Sequence, residues 1–521
     1  MKVLLINPPY PFEESPTPPF GLMSLAAYLI GQGIEVQIAD FIISRFSEEK
    51  ARAIINDFNP DVIGATGVTM NIKKAFAILQ YFKELKPDSV FVMGGPHVTF
   101  DADTVLREHS FIDYIVRGEG EITFVELLSK IQHHESPAAV LGISYRESGE
   151  IIHNEMRPFI EDINILPFPA RHLVALTKYR ALRFPINMVT SRGCPHQCIF
   201  CLGSKMVGRK VRHFETMRIV DEFEMLSKMG FPQINIVDDL FTSNKKRCIA
   251  FCDEIIRRGI RHKWTAFARV DTVSLDLLQA MKHAGCTTLC FGIESGNQEI
   301  LNTVKKRITI EKCKQAVDLC NEAGIIPMTS YILGLPGETM ETVEATMNFA
   351  RKLSPYYGYH ILAPFPGTEV REQKEKYGIT ILSDDWDLYD ANQAVCITEH
   401  ITAADINKIA SDFNALTAKK IREIEAKIKA GEDISAEESG LFNNLKGFII
   451  NIEIIHNELI EKYPGMHNGA DRESLVKHAA SYLKNSLTYD ETDIAEQVRI
   501  LLDSNCLILG TSSGTTTLSW N

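Results

Sequence analysis

Several familiar signals are missing from this 521-residue chain. No apolar run approaches the roughly 20 residues that a bilayer-spanning helix needs, so no membrane association is expected. No basic tail or stripe stands out and the net charge is -12, which argues against a nucleic-acid partner. No strand-like run leads into G-x-G-x-x-G, so the dinucleotide fingerprint is absent. The opening MKVLLINPPYPF reaches its prolines after only a few apolar residues and offers no small-residue cleavage site. It reads as the first strand of a domain and not as a signal peptide. The pattern of a secreted disulfide scaffold is missing too. The 11 cysteines are scattered through a long chain, and a reducing cytoplasm is the expected location.

Eight of those cysteines (Cys248, Cys252, Cys286, Cys290, Cys313, Cys320, Cys396 and Cys506) fall in periodic apolar segments. They are expected to be buried thiols. The spacings Cys248-x3-Cys252 and Cys286-x3-Cys290 would suit metal ligands. They lie, however, in an apparent helix and at an apparent strand entry.

What is present is strand–helix alternation. The length predicts two or three domains, and 45% hydrophobic residues suffice for large cores. In the first third, VLLI, EVQIAD, VIGATG, SVFVMGG and YIVRG read as strands. Between them, GLMSLAAYLIGQG and NIKKAFAILQYFKELKP carry apolar residues at helical spacing. Five such strands predict a doubly wound parallel sheet with its ligand at the carboxyl ends. The loops just past the strands hold NPPY, the turn after VIGATG, and GGPH, with Gly94 and Gly95 allowing close backbone approach. A generic flavodoxin-like module is the alternative reading of these residues.

Residues 136–183 read as a connector with a small hairpin. From 184 to 378 six further strands are expected: INMVT, INIVD, WTAFA, TLCFGI, MTSYIL and YHILA. With helices between them they predict a partial (β/α)6 barrel, active at the carboxyl ends of its strands. Just past the first of these strands, SRGCPHQCIFC sets Cys194, Cys198 and Cys201 at C-x3-C-x2-C. Three soft thiolates suit a 4Fe-4S cube and leave one iron open to chelate a small molecule. A three-cysteine zinc site completed by His196 is the competing reading. Residues 379–521 are expected to form a helical C-terminal domain with a loosely ordered end, GTSSGTTTLSWN.

PPFGLMSLAAYLIGQGIEVQIAD, GGPHVTF and VRGEGE resemble the cobalamin-binding domain that precedes many radical S-adenosylmethionine enzymes. The cysteine triplet and the barrel from about 185 to 375 resemble the radical S-adenosylmethionine superfamily itself. The overall class is therefore α/β, with residues 1–135 as a cobalamin-binding sheet, 184–378 as the radical barrel and 379–521 as the helical domain. The resemblance implies a 4Fe-4S cluster, S-adenosylmethionine and cobalamin as cofactors. It implies a small-molecule substrate and a flavodoxin or ferredoxin as electron donor.

The resemblance also implies site residues. For cobalamin they are Pro8, Thr69, Gly94, Gly95 and His97. No D-x-H-x-x-G supplies a lower axial imidazole, and loop packing is the simpler role for His97. Asp238 and Asp239 stand where the family often places a glycine-rich stretch that meets the methionine amino group. Arg269 would pair the methionine carboxylate, with a bridge to Asp271 as its alternative. Glu294 and Ser295 end the fourth strand as candidate polar contacts. Gly334 and Gly337, in GLPGE, would admit the adenine or ribose, and Glu338 has a capping role as its alternative. The activity implied is carbon methylation. Oxidative ring closure, as in the anaerobic magnesium-protoporphyrin ester cyclases, is the alternative.

Overall fold

The computed structural model describes residues 1–10, 16–430, 432–467, 471–512 and 515–521. The five expected N-terminal strands form as β1 (Lys2–Asn7), β2 (Glu35–Asp40), β3 (Val62–Thr66), β4 (Val90–Gly94) and β5 (Tyr114–Val116). All are parallel, in the order β2-β1-β3-β4-β5. The winding reverses between β1 and β3, the place where open α/β sheets bind ligands. Residues 3–7 of β1 are buried without alternation, as expected when helices cover both faces. One cover is the helix Phe20–Gly31, which buries Leu22, Met23, Ala26 and Leu29. Another is the helix Ile72–Leu85, which buries Ile72, Ala75, Phe76, Leu79 and Phe82. The connector hairpin, β6 (Ile143–Glu147) and β7 (Glu150–His153), continues this sheet antiparallel beyond β5.

The barrel opens with β8 (Ile186–Met188). The short pair β9 (Ser191–Arg192) and β10 (Arg212–His213) then brackets the cysteine loop. The main sheet continues with β11 (Ile234–Ile236), β12 (Trp264–Ala268), β13 (Cys286–Glu294), β14 (Ile326–Leu333) and β15 (Tyr357–Ile361). Its order, β8-β11-β12-β13-β14-β15, is sequential and parallel throughout, so it is an open six-strand barrel. The outer helices start where side chains cap them. Asn244 accepts from the Arg247 N–H, Thr309 from Lys312, and Thr339 forms a capping box with Thr342. Beneath them Trp264 is fully buried, edge-on to Phe241 and Phe251, and its indole N–H donates to the Ala284 carbonyl at 2.8 Å.

The C-terminal region is helical as expected, with helices Ala403–Ala430, Ala436–His456, Arg472–Lys484 and Glu491–Asp503. Its end differs from expectation. Leu507–Ser512 and Thr515–Trp520 pair as antiparallel strands, with Leu507 and Leu518 buried; residues 513–514 lie outside the described residues. The threonine-rich run is polar, but its β-branched side chains suit a strand. The helical region also holds the sheet domain: Lys50 pairs with Glu458 at 2.6 Å and His456 bonds the Ile42 carbonyl at 2.9 Å. Seven of the eight cysteines expected to be buried are so, and Cys290 is half-buried. Among the described residues no helix is long and apolar enough to cross a membrane.

Candidate active site between the sheet and the barrel

The cysteine loop leaves the barrel just after β8, and Asp238 anchors its root. That buried carboxylate accepts from the Thr190 N–H at 2.6 Å, the Thr190 hydroxyl at 2.5 Å and the Ser191 hydroxyl at 2.6 Å. Its oxygens are committed to the loop. Asp239 is its exposed neighbour, and its Oδ1 lies 2.8 Å from where a Cβ on Gly203 would sit, beside the Cys201 sulfur. Of the two aspartates, only Asp239 lines the cavity between the domains.

Cys194 and Cys198 are half-buried and Cys201 is exposed; all three are free thiols. Loss of hydration raises each of them, Cys201 to about 11, while the charges of Lys306 and Arg269 pull Cys194 and Cys198 back down. The three sense one another electrostatically. Among the described residues no three His, Cys, Asp or Glu side chains converge as they would around a single ion.

Arg269 is buried and donates to both oxygens of Asp271, at 3.0 and 3.1 Å, and to the Lys306 carbonyl at 2.9 Å. The bridge to Asp271 is thus the arrangement present. Glu294 sits at the end of β13 with φ of 73° and accepts from the Lys306 ammonium at 2.7 Å. Burial alone would push that ammonium down, yet the Glu294 carboxylate holds it above its ordinary value. Lys306 escaped the sequence reading. It follows the helix Gln298–Thr303 in an unremarkable basic run, and only folding brings it to β13 and the cysteine loop. Ser295 bonds Thr346 at 3.1 Å, away from open space. Gly334 and Gly337 carry positive φ values of 86° and 82°. Their loop is held by buried Glu338, which accepts from the N–H groups of Gly334 and Leu335 at 2.8 and 3.0 Å.

Facing the loop across the domain boundary is a cavity of about 380 Å³. The sheet contributes Gly64, Thr66, Gly94 and Gly95 from strand ends; the barrel contributes Val189, Ser191, Val237 and Asp239. Gly95 has φ of 99°, and a Cβ there would meet Thr66 Oγ1 at 2.6 Å and the Gly67 carbonyl at 2.8 Å, so only glycine fits. Pro8, Thr69 and His97 lie outside the cavity lining. Pro8 is buried just past β1. His97 Nδ1 bonds Thr69 Oγ1 at 3.2 Å, and its ring meets Trp386 edge-on at 5.0 Å. Burial, then the charge of Arg371, lowers its pKa to about 4, so the imidazole is neutral.

A charge network joins the two walls. Glu119 and Glu121, from the VRGEGE run, take Arg192 at 3.0 and 2.6 Å, and Glu119 also takes Arg212 at 2.9 Å. The residues fit the cofactors that the family implies. Three free thiols stand on one loop, one for each of three irons of a 4Fe-4S cluster, with the fourth iron left without a cysteine. An apolar hollow floored by small residues lies at the switch point for a corrinoid.

A doubly wound sheet closing over an open barrel with a three-cysteine loop defines a radical enzyme with a corrinoid domain. Residues 188–350 match the radical SAM superfamily and residues 14–128 the B12 binding domain. An uncharacterised methyltransferase of Pyrococcus horikoshii is 36% identical over 420 residues, 78% of this chain and 90% of that protein. The anaerobic magnesium-protoporphyrin IX monomethyl ester cyclase of Rubrivivax gelatinosus is 33% identical over 393 residues, 72% of this chain and 70% of that one. The fold is shared with the cobalamin-dependent S-adenosylmethionine radical enzyme OxsB. That match has a TM-score of 0.70 at 19% identity, covering 97% of this chain and 78% of that one. The chain belongs to the cobalamin-binding radical S-adenosylmethionine enzyme family, whose cofactors are a 4Fe-4S cluster, S-adenosylmethionine and cobalamin.

Proposed function

We propose that this enzyme methylates an unactivated carbon of a small-molecule substrate. The observation that carries the reading is one cavity walled by strand ends of the sheet on one side and by the cysteine-loop end of the barrel on the other. When bound, the cluster with S-adenosylmethionine supplies a 5′-deoxyadenosyl radical and the corrinoid supplies a methyl group. The chain's own residues bind, orient and shield. Cys194, Cys198 and Cys201 would hold the cluster through three of its irons, leaving the fourth for the amino and carboxylate groups of S-adenosylmethionine. Asp239 takes the methionine amino group. The Glu294–Lys306 pair lines the polar side of the same space, and the loop of Gly334 and Gly337 admits the adenosyl end. Gly94 and Gly95 let the corrinoid lie close to the sheet. Arg269 meets a carboxylate only by exchanging Asp271.

The division of labour follows the domains: residues 1–135 for the corrinoid, 136–183 as connector, 184–378 for the cluster and radical, 379–521 for substrate choice. A flavodoxin or ferredoxin supplies electrons, and the cytoplasm is the compartment. The 33% identity to a magnesium-protoporphyrin ester cyclase favours oxidative ring closure as the second reading. Product analysis with reductant and candidate substrates separates the two. A methylase gives S-adenosylhomocysteine together with 5′-deoxyadenosine, whereas a cyclase gives mainly 5′-deoxyadenosine. Absence of both overturns the enzyme reading.

A further inference from the structure

The strand register sorts the inner face of the barrel into rows. Asn187 pairs with Asn235, Asn235 with Thr265, and Thr265 with Thr288. These four form a polar row low in the lumen. Two residues further along each strand, Phe267 pairs with Cys290 and Cys290 with Met328. Val189 and Val237 extend this second row toward the interdomain cavity, whose wall they join. The next row up holds Ser191, Asp239 and, past the end of β12, Arg269 with its charge taken by Asp271 on one side, and Gly292, Ser330 and Gly358 on the other.

The outer face of the same strands is packed with Trp264, Leu289, Phe291 and Tyr331. The inner face is not. Phe267 is 48% exposed and Met328 45%, although both lie within parallel strands that have a partner on each side. Such large apolar side chains left bare inside a barrel call for an occupant. Neither of the two rows contains a charged residue, and burying a bare charge against them would be costly. The lower row offers amide and hydroxyl groups. Asn235 Oδ1 already accepts from Thr265 at 2.6 Å and from Gln233 at 3.1 Å, so its amide N–H groups are what it can offer a ligand, and Asn187 Oδ1 is buried with no partner.

We infer that the lumen selects an uncharged substrate whose flat or branched apolar body lies on Phe267, Cys290 and Met328 and whose hydroxyl or amide end meets Asn187 and Asn235. This rests on the methylation reading and names the substrate class for it. Neither row carries a cation, and the two cations one row up, Arg269 and Lys306, are already paired with Asp271 and Glu294, so an anionic molecule lying on these rows meets no free positive charge.

Two near-isosteric probes test it: neutral N-phenyl-1-naphthylamine and its sulfonated relative 1-anilinonaphthalene-8-sulfonate, titrated by fluorescence into the full chain. The neutral probe is expected to bind at least about tenfold more tightly. Met328→Lys and, separately, Phe267→Glu should each weaken it by about tenfold or more. Both side chains are exposed enough to take a charge without unfolding, which melting curves check. Ile256→Lys, a change at a 47% exposed apolar residue on an outer helix, should leave binding unchanged. Equal or tighter sulfonate binding overturns the inference, and so do lumen variants that bind the neutral probe as well as the unaltered chain. Formation of 5′-deoxyadenosine without substrate is measured separately, so failure of the radical chemistry is told apart from failure of the lumen assignment.

Discussion

Asp238 and Asp239 are adjacent yet do opposite work, and the cause is strand alternation. Asn235, Val237 and Asp239 point one way along β11 and its extension; Asp238 points the other way, into the root of the cysteine loop. The sequence marked both as cofactor contacts because a strand end does not declare which side is inward. Asp238→Ala strands three buried donors and should lower stability by about 3 kcal/mol in urea titration. Asp239→Asn should leave stability unchanged and weaken S-adenosylmethionine binding. Cys198→Ala should abolish the visible iron–sulfur absorbance and 5′-deoxyadenosine formation while far-ultraviolet circular dichroism stays the same. Glu338 gives a pH signature. Burial pushes its carboxyl up to about 8, only partly offset by the N–H groups of Leu335 and Gly334. The folded state therefore prefers the protonated acid. Its contribution to stability is full below the ordinary carboxyl range and is lost as pH rises through about 8. Glu338→Gln stays neutral, so stability against pH should be flatter across that window than in the unaltered chain. Parallel curves would contradict the assignment.

At the scale of elements, periodicity was highly informative. All five sheet strands and all six barrel strands form where apolar runs and turn residues placed them: β1 and β3 are buried on both faces and read as continuous apolar runs, while β12 and β14 bury alternate residues against the outer helices. The C-terminal hairpin was illegible, since its threonines read as polar linker until paired. The close packing of loops was half-legible. GGPH announced a tight approach, but only the structure shows that Gly95 abuts Thr66 and Gly67. Gly95→Ala should destabilise the chain by about 2–3 kcal/mol and strip corrinoid from the purified protein. Gly31→Ala, at a site with nothing within 4 Å of the new methyl, should leave both unchanged or slightly raise the melting temperature.

For the whole molecule, the proposed function needs two domains that share one cavity, and the clasp between them was invisible in sequence. Glu119 meets Arg192 and Arg212 from 73 and 93 residues away, a distance over which no local pattern speaks. Burial works against the Glu119 carboxylate, but the bonds from Arg212 and the charge of Arg192 prevail and hold it below its ordinary value. Glu119→Ala would leave two largely buried guanidiniums short of a partner, costing about 3–5 kcal/mol, and corrinoid should dissociate more readily on gel filtration. The measurement that bears most directly on the account is electron paramagnetic resonance of the reduced, anaerobically reconstituted chain, with metal and corrinoid analysis, before and after adding S-adenosylmethionine. The account predicts a 4Fe-4S signal beside bound corrinoid, and a clear change of that signal when S-adenosylmethionine occupies the open iron. Zinc in place of iron, or a cluster signal that S-adenosylmethionine leaves untouched, would contradict it.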